Sequence, residues 1–442
     1  MIRSLILAAL SAVIAAPSFA QTKPNVVLVV MDDVGYGDYG SYGAPDVRTP
    51  HIDRLARDGV RFTDFYAAPT CTPTRAALIT GRYQQRVALE YPIGSPPGAG
   101  RGLPATGRSL PQLLKSNGYA TGLVGKWHLG YRPEHHPNAH GFDYFFGFLS
   151  GLVDYYHHTD QNGNADLYEN AAPVQVEGYM TDLITARSMK FIEDHAAQPF
   201  FLEVAYNAAH WPFQPPDQPS TETDRRPGRN LRQAPDDSVA ATRQDYVRML
   251  ERADRGVGEI LAALDRRGAA GNTLVIFTND NGGEWLSRNA PLYHRKDTLW
   301  EGGIRVPLIM KWPDRIPAGR TTAQVGIVMD LTATILAATN TPVPSEARLE
   351  GVNLLPLLAA RATMERTLFF RITATRQQRA VRQGDWKLLL DAGDVLLFNL
   401  RTDSGERNDL ARERPDIARR LRPLIAEWEK DVDSEAKGLG TQ

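Results

Sequence analysis

Three continuous apolar runs constrain this chain more than any other feature: NVVLVVM (25–31), PFFLEVAYN (199–207) and NTLVIFTND (272–280). Runs without polar alternation belong to strands covered on both faces, as in a parallel sheet. Helical patterns separate them. TPHIDRLARDG (49–59) carries Thr49 as a cap, Pro50 in its first turn and Gly59 as a stop. SLPQLLKSNG (109–118), YMTDLITARSMKFIEDH (179–195) and DYVRMLERADRGVGEILAALDRRG (245–268) also read as helices, and YATGLVG (119–125) as a further strand. The alternation predicts an α/β fold, a large mostly parallel sheet flanked by helices on both faces. The C-terminal quarter departs from it. RTLFFRI (366–372), RAVRQGDWKLLL (379–390) and DVLLFNL (394–400) read as short strands joined by turns, followed by an amphipathic helix in PDIARRLRPLIAEWEKDVDS (415–434). This predicts a smaller C-terminal antiparallel sheet plus helix subdomain. The expected division is 1–20, 21–344 and 345–442.

The first segment is a processing signal. Arg3, the apolar stretch 5–16 and Ser18-Phe19-Ala20 make a secretory signal peptide cleaved after Ala20. Its apolar run falls short of the ~20 residues that span a bilayer. The expectation is therefore a secreted or periplasmic protein with no membrane anchor. Lys+Arg and Asp+Glu stand at 50 and 51, so no net field selects nucleic acid or an anionic membrane as partner. The 37 glycines and 30 prolines follow no repeat, which excludes collagen-like and low-complexity chains. Stretches 91–108 and 212–240 read as long loops, functional or plain surface insertions.

Export gives the lone cysteine, Cys71, its interest. It cannot form an intramolecular disulfide, and a leftover thiol in an oxidising compartment is either used or buried and inert. The sequence Cys71-Thr-Pro73-Thr-Arg75 leads into a helical segment, which places Cys71 ahead of a helix N-terminus that favours anions. A thiol so placed is expected to be reactive, and Arg75 adds a cation suited to a tetrahedral oxyanion. Two buried strands end in oxygen-rich pairs, Asp32-Asp33 and Asp280-Asn281. Carboxylates with an amide oxygen are hard ligands for Ca²⁺ or Mg²⁺ rather than zinc. The residues alone point to a metal-assisted anion site with a special cysteine.

Cys71-x-Pro73-x-Arg75 followed by LITGR resembles the signature of the formylglycine-dependent sulfatases, arylsulfatase-like members of the alkaline phosphatase superfamily. The likeness extends to Asp32-Asp33, GKWHLG (125–130), Asp280-Asn281-Gly282 and Lys296 with EGGIRVP (301–307). It implies that a formylglycine-generating maturation enzyme oxidises Cys71 to an aldehyde, whose hydrate is the nucleophile. Asp32, Asp33, Asp280 and Asn281 would hold Ca²⁺, with the residue-71 and sulfate oxygens completing the shell. One gem-diol oxygen attacks sulfur, the alcohol leaves, and the second hydroxyl expels sulfate, dividing one hard step into two. Arg75 and Lys126 match the cations at the nucleophile, and His128 the base that drives elimination. His210 and Lys296 match the groups near the leaving oxygen and the sulfate. Arg295 stands where a small residue is expected, and Asn279 where Ser or Thr is commoner.

The substrate implied is a sulfated saccharide or an aryl sulfate. Trp211, Tyr155, Tyr156 and Trp285 are aromatics that could stack on a sugar or serve packing. Seven further histidines, His51, His135, His136, His140, His157, His158 and His294, read as surface or loop residues. One rival is a phosphonate or phosphodiester hydrolase of the same superfamily; Asp280-Asn281 and Lys126-Trp127-His128 favour sulfate instead. The other, a non-catalytic glycan-binding relative, is disfavoured because each expected catalytic position is filled.

Overall fold

A computed structural model describes residues 23–94, 100–218, 241–313 and 315–437. The signal-peptide reading of 1–20 and the loop segments 95–99 and 219–240 lie outside the described residues. The main sheet has eleven strands: β1 (Asn25–Met31), β2 (Val60–Tyr66), β3 (Ala120–Lys126), β4 (Tyr144–Phe148), β5 (Tyr168–Glu169), β6 (Ala172–Pro173), β7 (Phe200–Ala205), β8 (Thr273–Asn279), β9 (Arg305–Lys311), β10 (Arg320–Thr322) and β11 (Gly326–Ile327). Their order is β10-β2-β9-β8-β1-β7-β3-β4-β5-β6, with β11 also on β2. The centre, β8-β1-β7-β3-β4, is parallel throughout.

β1 shows why the apolar runs are continuous. Val26, Leu28 and Val30 enter one core, while Val27, Val29 and Met31 enter the other. Full burial of such a side chain contributes roughly 1.5–3 kcal/mol, so both faces of the strand are driven inward. Helices Met180–Asp194 and Arg243–Arg266 pack on each other and cover one face through Ile184, Phe191, Leu250 and Val257. Helices Cys71–Thr80, Leu110–Ser116 and Met329–Ala338 cover the other through Leu78, Leu114 and Ile335. The expected flanked α/β sheet is the one observed.

Strands β2, β4 and β9 and the short β5, β6, β10 and β11 escaped the sequence reading. β9 runs antiparallel between β8 and β2. β2 (VRFTDFY) holds Arg61 and Asp64 among its apolar residues.

The C-terminal antiparallel sheet is present, in the order β12 (Thr367–Ile372), β13 (Gln378–Gln383), β14 (Trp386–Asp391) and β15 (Asp394–Asn399). The run 379–390 is two strands rather than one, because Gly384 turns the chain at φ 57°. Helix Pro415–Ala436 lays Ile417, Leu421 and Ile425 on this sheet and passes Trp428 and Val432 to the main core. The two sheets are also joined by buried charge. Lys387 on β14 lies 2.9 Å from Glu301 and 2.8 Å from Glu406, with all three side chains fully buried. No helix among the described residues is long and apolar enough to cross a membrane.

Candidate active site

The parallel strands deliver the site at their carboxyl ends, where open α/β sheets bind ligands. Asp32-Asp33 follow β1, Lys126 ends β3 with His128 just beyond, His210 lies past β7, and Asp280-Asn281 follow β8. β2 leads into the helix that opens at Cys71, and Lys296 sits on the connection from β8 to β9. All of the sequence-predicted site residues therefore meet at one end of the sheet. Asp33 and His128 hold φ values of 57° and 58°, a left-handed backbone that non-glycine residues adopt at a cost.

Cys71 is the first residue of its helix, with Thr70 at the cap. Its Sγ lies 3.1 Å from His128 Nδ1. His128 Nε2 lies 2.9 Å from the Ile93 carbonyl, which only accepts, so the ring proton is on Nε2 and the Nδ1 lone pair faces Cys71. Burial first, then Lys126 and Arg75, push His128 well below the usual histidine range. It is a neutral base. The expected reactive thiol is corrected: Cys71 is only 3% exposed, and burial raises its pKa against the pull of Lys126 and Lys296. Desolvation outweighs both the cations and the helix terminus, so the thiol itself is not an activated nucleophile.

Acids and cations interlock beside it. Arg75 pairs with Asp280 at 2.9 Å and donates to the Lys126 carbonyl at 3.1 Å. Lys126 meets Asp32 at 2.5 Å, and Lys296 meets Asp33 at 2.7 Å. Burial, reinforced by Asp280, raises the Asp32 carboxyl well above its usual range despite Lys126. At Asp33 burial is overcome by Lys296, His210 and Lys126, which hold that carboxyl well below it. Burial opposes the Lys296 charge too, but Asp33 and Glu284 keep the ammonium protonated far above its usual range. His210 donates from Nδ1 to the Trp211 carbonyl and sets Nε2 3.4 Å from Asp33. Burial brings its pKa down to about 3, leaving it neutral.

The donor set fits a hard divalent cation. Asp32, Asp33 and His210 each place a ligand atom within 4.8 Å of the others. Asp32 Oδ1 and Asn281 Oδ1 are buried oxygens without a hydrogen-bond partner. Each such orphan costs about 1–3 kcal/mol, which a cation shared between them would offset. Asp280 contributes differently here, with Oδ2 on Arg75 and Oδ1 accepting from the Asp33 amide.

Several neighbours were not foreseen. Asn279 accepts from Tyr39 OH at 2.6 Å and donates to the Val34 carbonyl at 2.7 Å, tying β8 to the chain after Asp33. Glu203 on β7 is buried beneath Arg75 on the same face of the sheet, and no sequence motif marks it. Tyr155 is buried, with its hydroxyl on the Asn207 and His210 carbonyls, so it braces the His210 loop instead of facing a sugar. Tyr156 bonds the Pro215 carbonyl, and Trp211 is largely buried. Trp285 alone of the four is exposed. His136, His140 and His158 are buried rather than superficial; His140 packs on Trp127.

Comparison with known proteins agrees with this geometry. The family model described as Sulfatase matches residues 24–341. The chain belongs to the sulfatase family. It is accordingly a sulfuric ester hydrolase. A second model, N-sulphoglucosamine sulphohydrolase C-terminal, matches residues 291–431. The chain is 36% identical to N-acetylgalactosamine-6-sulfatase of Sus scrofa, over 79% of this chain and 69% of that protein. It is 35% identical to arylsulfatase A of Bos taurus, over 86% of this sulfatase and 77% of the relative. The crystal structure of Ps i-CgsB superposes with a TM-score of 0.83 at 32% identity, covering 92% of this chain and 93% of that one. The same protein has been solved in complex with k-i-k-neocarrahexaose.

Proposed function

We propose that this sulfatase is exported and hydrolyses sulfate esters on sulfated carbohydrates, with Cys71 converted to formylglycine and Ca²⁺ held by Asp32, Asp33, Asp280 and Asn281. The observation that carries the reading is the 3.1 Å approach of the neutral His128 Nδ1 to Cys71 Sγ, inside a ring made by Arg75, Lys126 and Lys296. Sγ marks where the hydroxyls of a hydrated formylglycine would stand. A base whose lone pair points there, and which carries no charge, suits removal of a hydroxyl proton.

Arg75 and Lys126 bind their carboxylates and so stay fixed beside residue 71, ready for charge that develops there. Lys296, kept charged by Asp33, meets the sulfate and steadies the leaving alcohol oxygen. His210, whose proton is committed to the Trp211 carbonyl, orients Nε2 toward the same place. When bound, Ca²⁺ would withdraw electrons from the sulfate oxygens and neutralise the carboxylates around them. The named relatives support a saccharide, since N-acetylgalactosamine-6-sulfatase and the neocarrahexaose complex both concern sugars.

Two measurements test the reading. The tryptic peptide 62–75 of protein from its native host is expected to carry an aldehyde in place of the thiol. Matched aryl sulfate, phosphonate and phosphodiester substrates are expected to be hydrolysed with sulfate preferred, and Cys71→Ala to abolish turnover. Preference for phosphorus would transfer the chain's activity to phosphodiesters. An intact thiol with no ester turnover would return the glycan-binding alternative.

A further inference from the structure

The connection from Gly283 to Lys296 forms an open cavity of about 350 Å³ at the surface, lined among others by Glu284, Trp285, Ser287, Tyr293, His294 and Arg295. Its inner edge reaches the site through Glu284. The Lys296 amide donates to the Gly283 carbonyl at 3.2 Å, and Glu284 lies 3.6 Å from Lys296 Nζ. Whatever enters this cavity therefore lies next to the group that meets sulfate.

Its surface is unlike the rest of the molecule. Four large hydrophobic side chains are exposed among the described residues, and two of them, Trp285 at 46% and Tyr293 at 38%, line this cavity. Trp285 is held edge-on by Trp211 at 6.1 Å and Phe213 at 6.2 Å, both on the loop that carries His210. Aromatic rings braced in this way and left open to solvent suit the apolar face of a sugar.

Cations stand at its rim. Arg295 and Arg376 are exposed and make no ion pair among the described residues. Thr375, beside Arg376 in the turn before β13, donates to Asp297 at 2.9 Å, two residues from Arg295, which brings the two cations into one neighbourhood. Arg407 lies over the Tyr293 ring at 4.7 Å. Acids stand nearby as well: Glu284 faces Lys296, Asp297 accepts from Thr375, and Asp391 accepts from Trp300. Trp285, His294 and Asp297 all have positive φ (39°, 67° and 67°), a local strain that the surrounding structure maintains.

We propose that this cavity is a subsite for the sugar unit adjoining the sulfated one, with its ring on Trp285 and a carboxylate or second sulfate held by Arg295 and Arg376. The substrate is then a glycan charged on consecutive units, and Arg295 is a specificity residue. This rests on the sulfated-carbohydrate reading above. Guanidiniums without a partner offer planar paired donors to such groups, at no cost of breaking an existing pair.

The test uses two sulfated disaccharides that differ only in whether the unit beside the ester carries a carboxylate, with an aryl sulfate as reference. The wild-type protein is expected to prefer the charged member at least tenfold in kcat/KM. In Arg295→Ala and Arg376→Ala that ratio is expected to fall roughly tenfold each, through KM more than kcat. Trp285→Ala is expected to weaken both disaccharides and leave their ratio. Equal losses on both members in the arginine variants would make those residues supports of the loop and overturn the subsite. Hydrolysis of the aryl sulfate with no preference between the disaccharides, or turnover of neither, overturns it while leaving the sulfatase reading intact. Failure on the aryl sulfate as well would strike that reading instead.

Discussion

Glu203 pairs in register with Leu28 of β1 and Leu123 of β3, a carboxyl 3% exposed in the middle of the sheet. Its Oε2 and the Nε of Arg75 are both buried without a hydrogen-bond partner. Burial raises the Glu203 pKa from 4.5 to about 7, with Arg75 pulling the other way. The consequence for stability has a definite sign. A carboxyl whose folded pKa is raised contributes stability below its unfolded pKa, and that contribution is lost as pH climbs through the folded value. From pH 4.5 to about 7 the folded state is therefore expected to lose on the order of 3 kcal/mol through this one group. Glu203→Gln removes the titration. Denaturant unfolding at pH 5 and pH 8 is expected to show the variant gaining on wild type at the higher pH. A difference that does not change with pH would mean that Glu203 is ionised throughout, neutralised by Arg75.

At the scale of elements, the two turns that close the site touch backbone to backbone. A Cβ on Gly282 would stand 1.9 Å from the Gly302 carbonyl oxygen, and the Gly282 amide already donates to Gly303. The close approach fixes Asp280-Asn281 against the start of the EGGIRVP segment. Gly282→Ala must push the two apart and is expected to weaken Ca²⁺ binding by about 10–100-fold, measured as the shift of thermal midpoint with added calcium. Wild-type calcium dependence in this variant would mean that Asp280-Asn281 do not bear the ion. The elements legible in the sequence were those whose burial is complete and local. β1, β3, β7 and β8 announce themselves as apolar runs, and one helix by its Ser109 cap; Thr49 stands at its helix start but its hydroxyl turns to Asp53 instead of capping. β2 was not, because its polar residues are satisfied at long range: Asp64 pairs with Arg305 at 3.1 Å and with Arg382 at 2.9 Å. The motif residues Cys71, His128 and Lys296, far apart in sequence, lie together in the fold. Glu203, the contacts of Asn279 and the pairing of Lys296 with Asp33 were invisible, since each depends on segments distant in sequence.

Across the whole molecule, the second sheet braces the first through Lys387. This lysine contacts both Glu301 and Glu406, and Glu301 in turn accepts from Tyr66 OH at 2.7 Å at the end of β2. Burial acts against charge at both acids, yet Lys387 holds Glu301 down to about 2 while Glu406 is pushed up to about 7. Lys387→Met strands this charge in the interior and is expected to cost about 3–5 kcal/mol in denaturant unfolding. Adding Glu406→Gln is expected to recover part of it; independent, additive losses would show the pair to be uncoupled. The burial of Cys71 has a consequence in time. Its walls come from segments as far apart as Asp32 and Lys296, so the thiol is enclosed only when the central strands have all arrived. If Cys71 is converted as proposed, the modifying enzyme must reach it while the chain is still open. Maturation and folding would then be in a race, and a polypeptide that closes first would keep its thiol sealed inside a correctly folded shell.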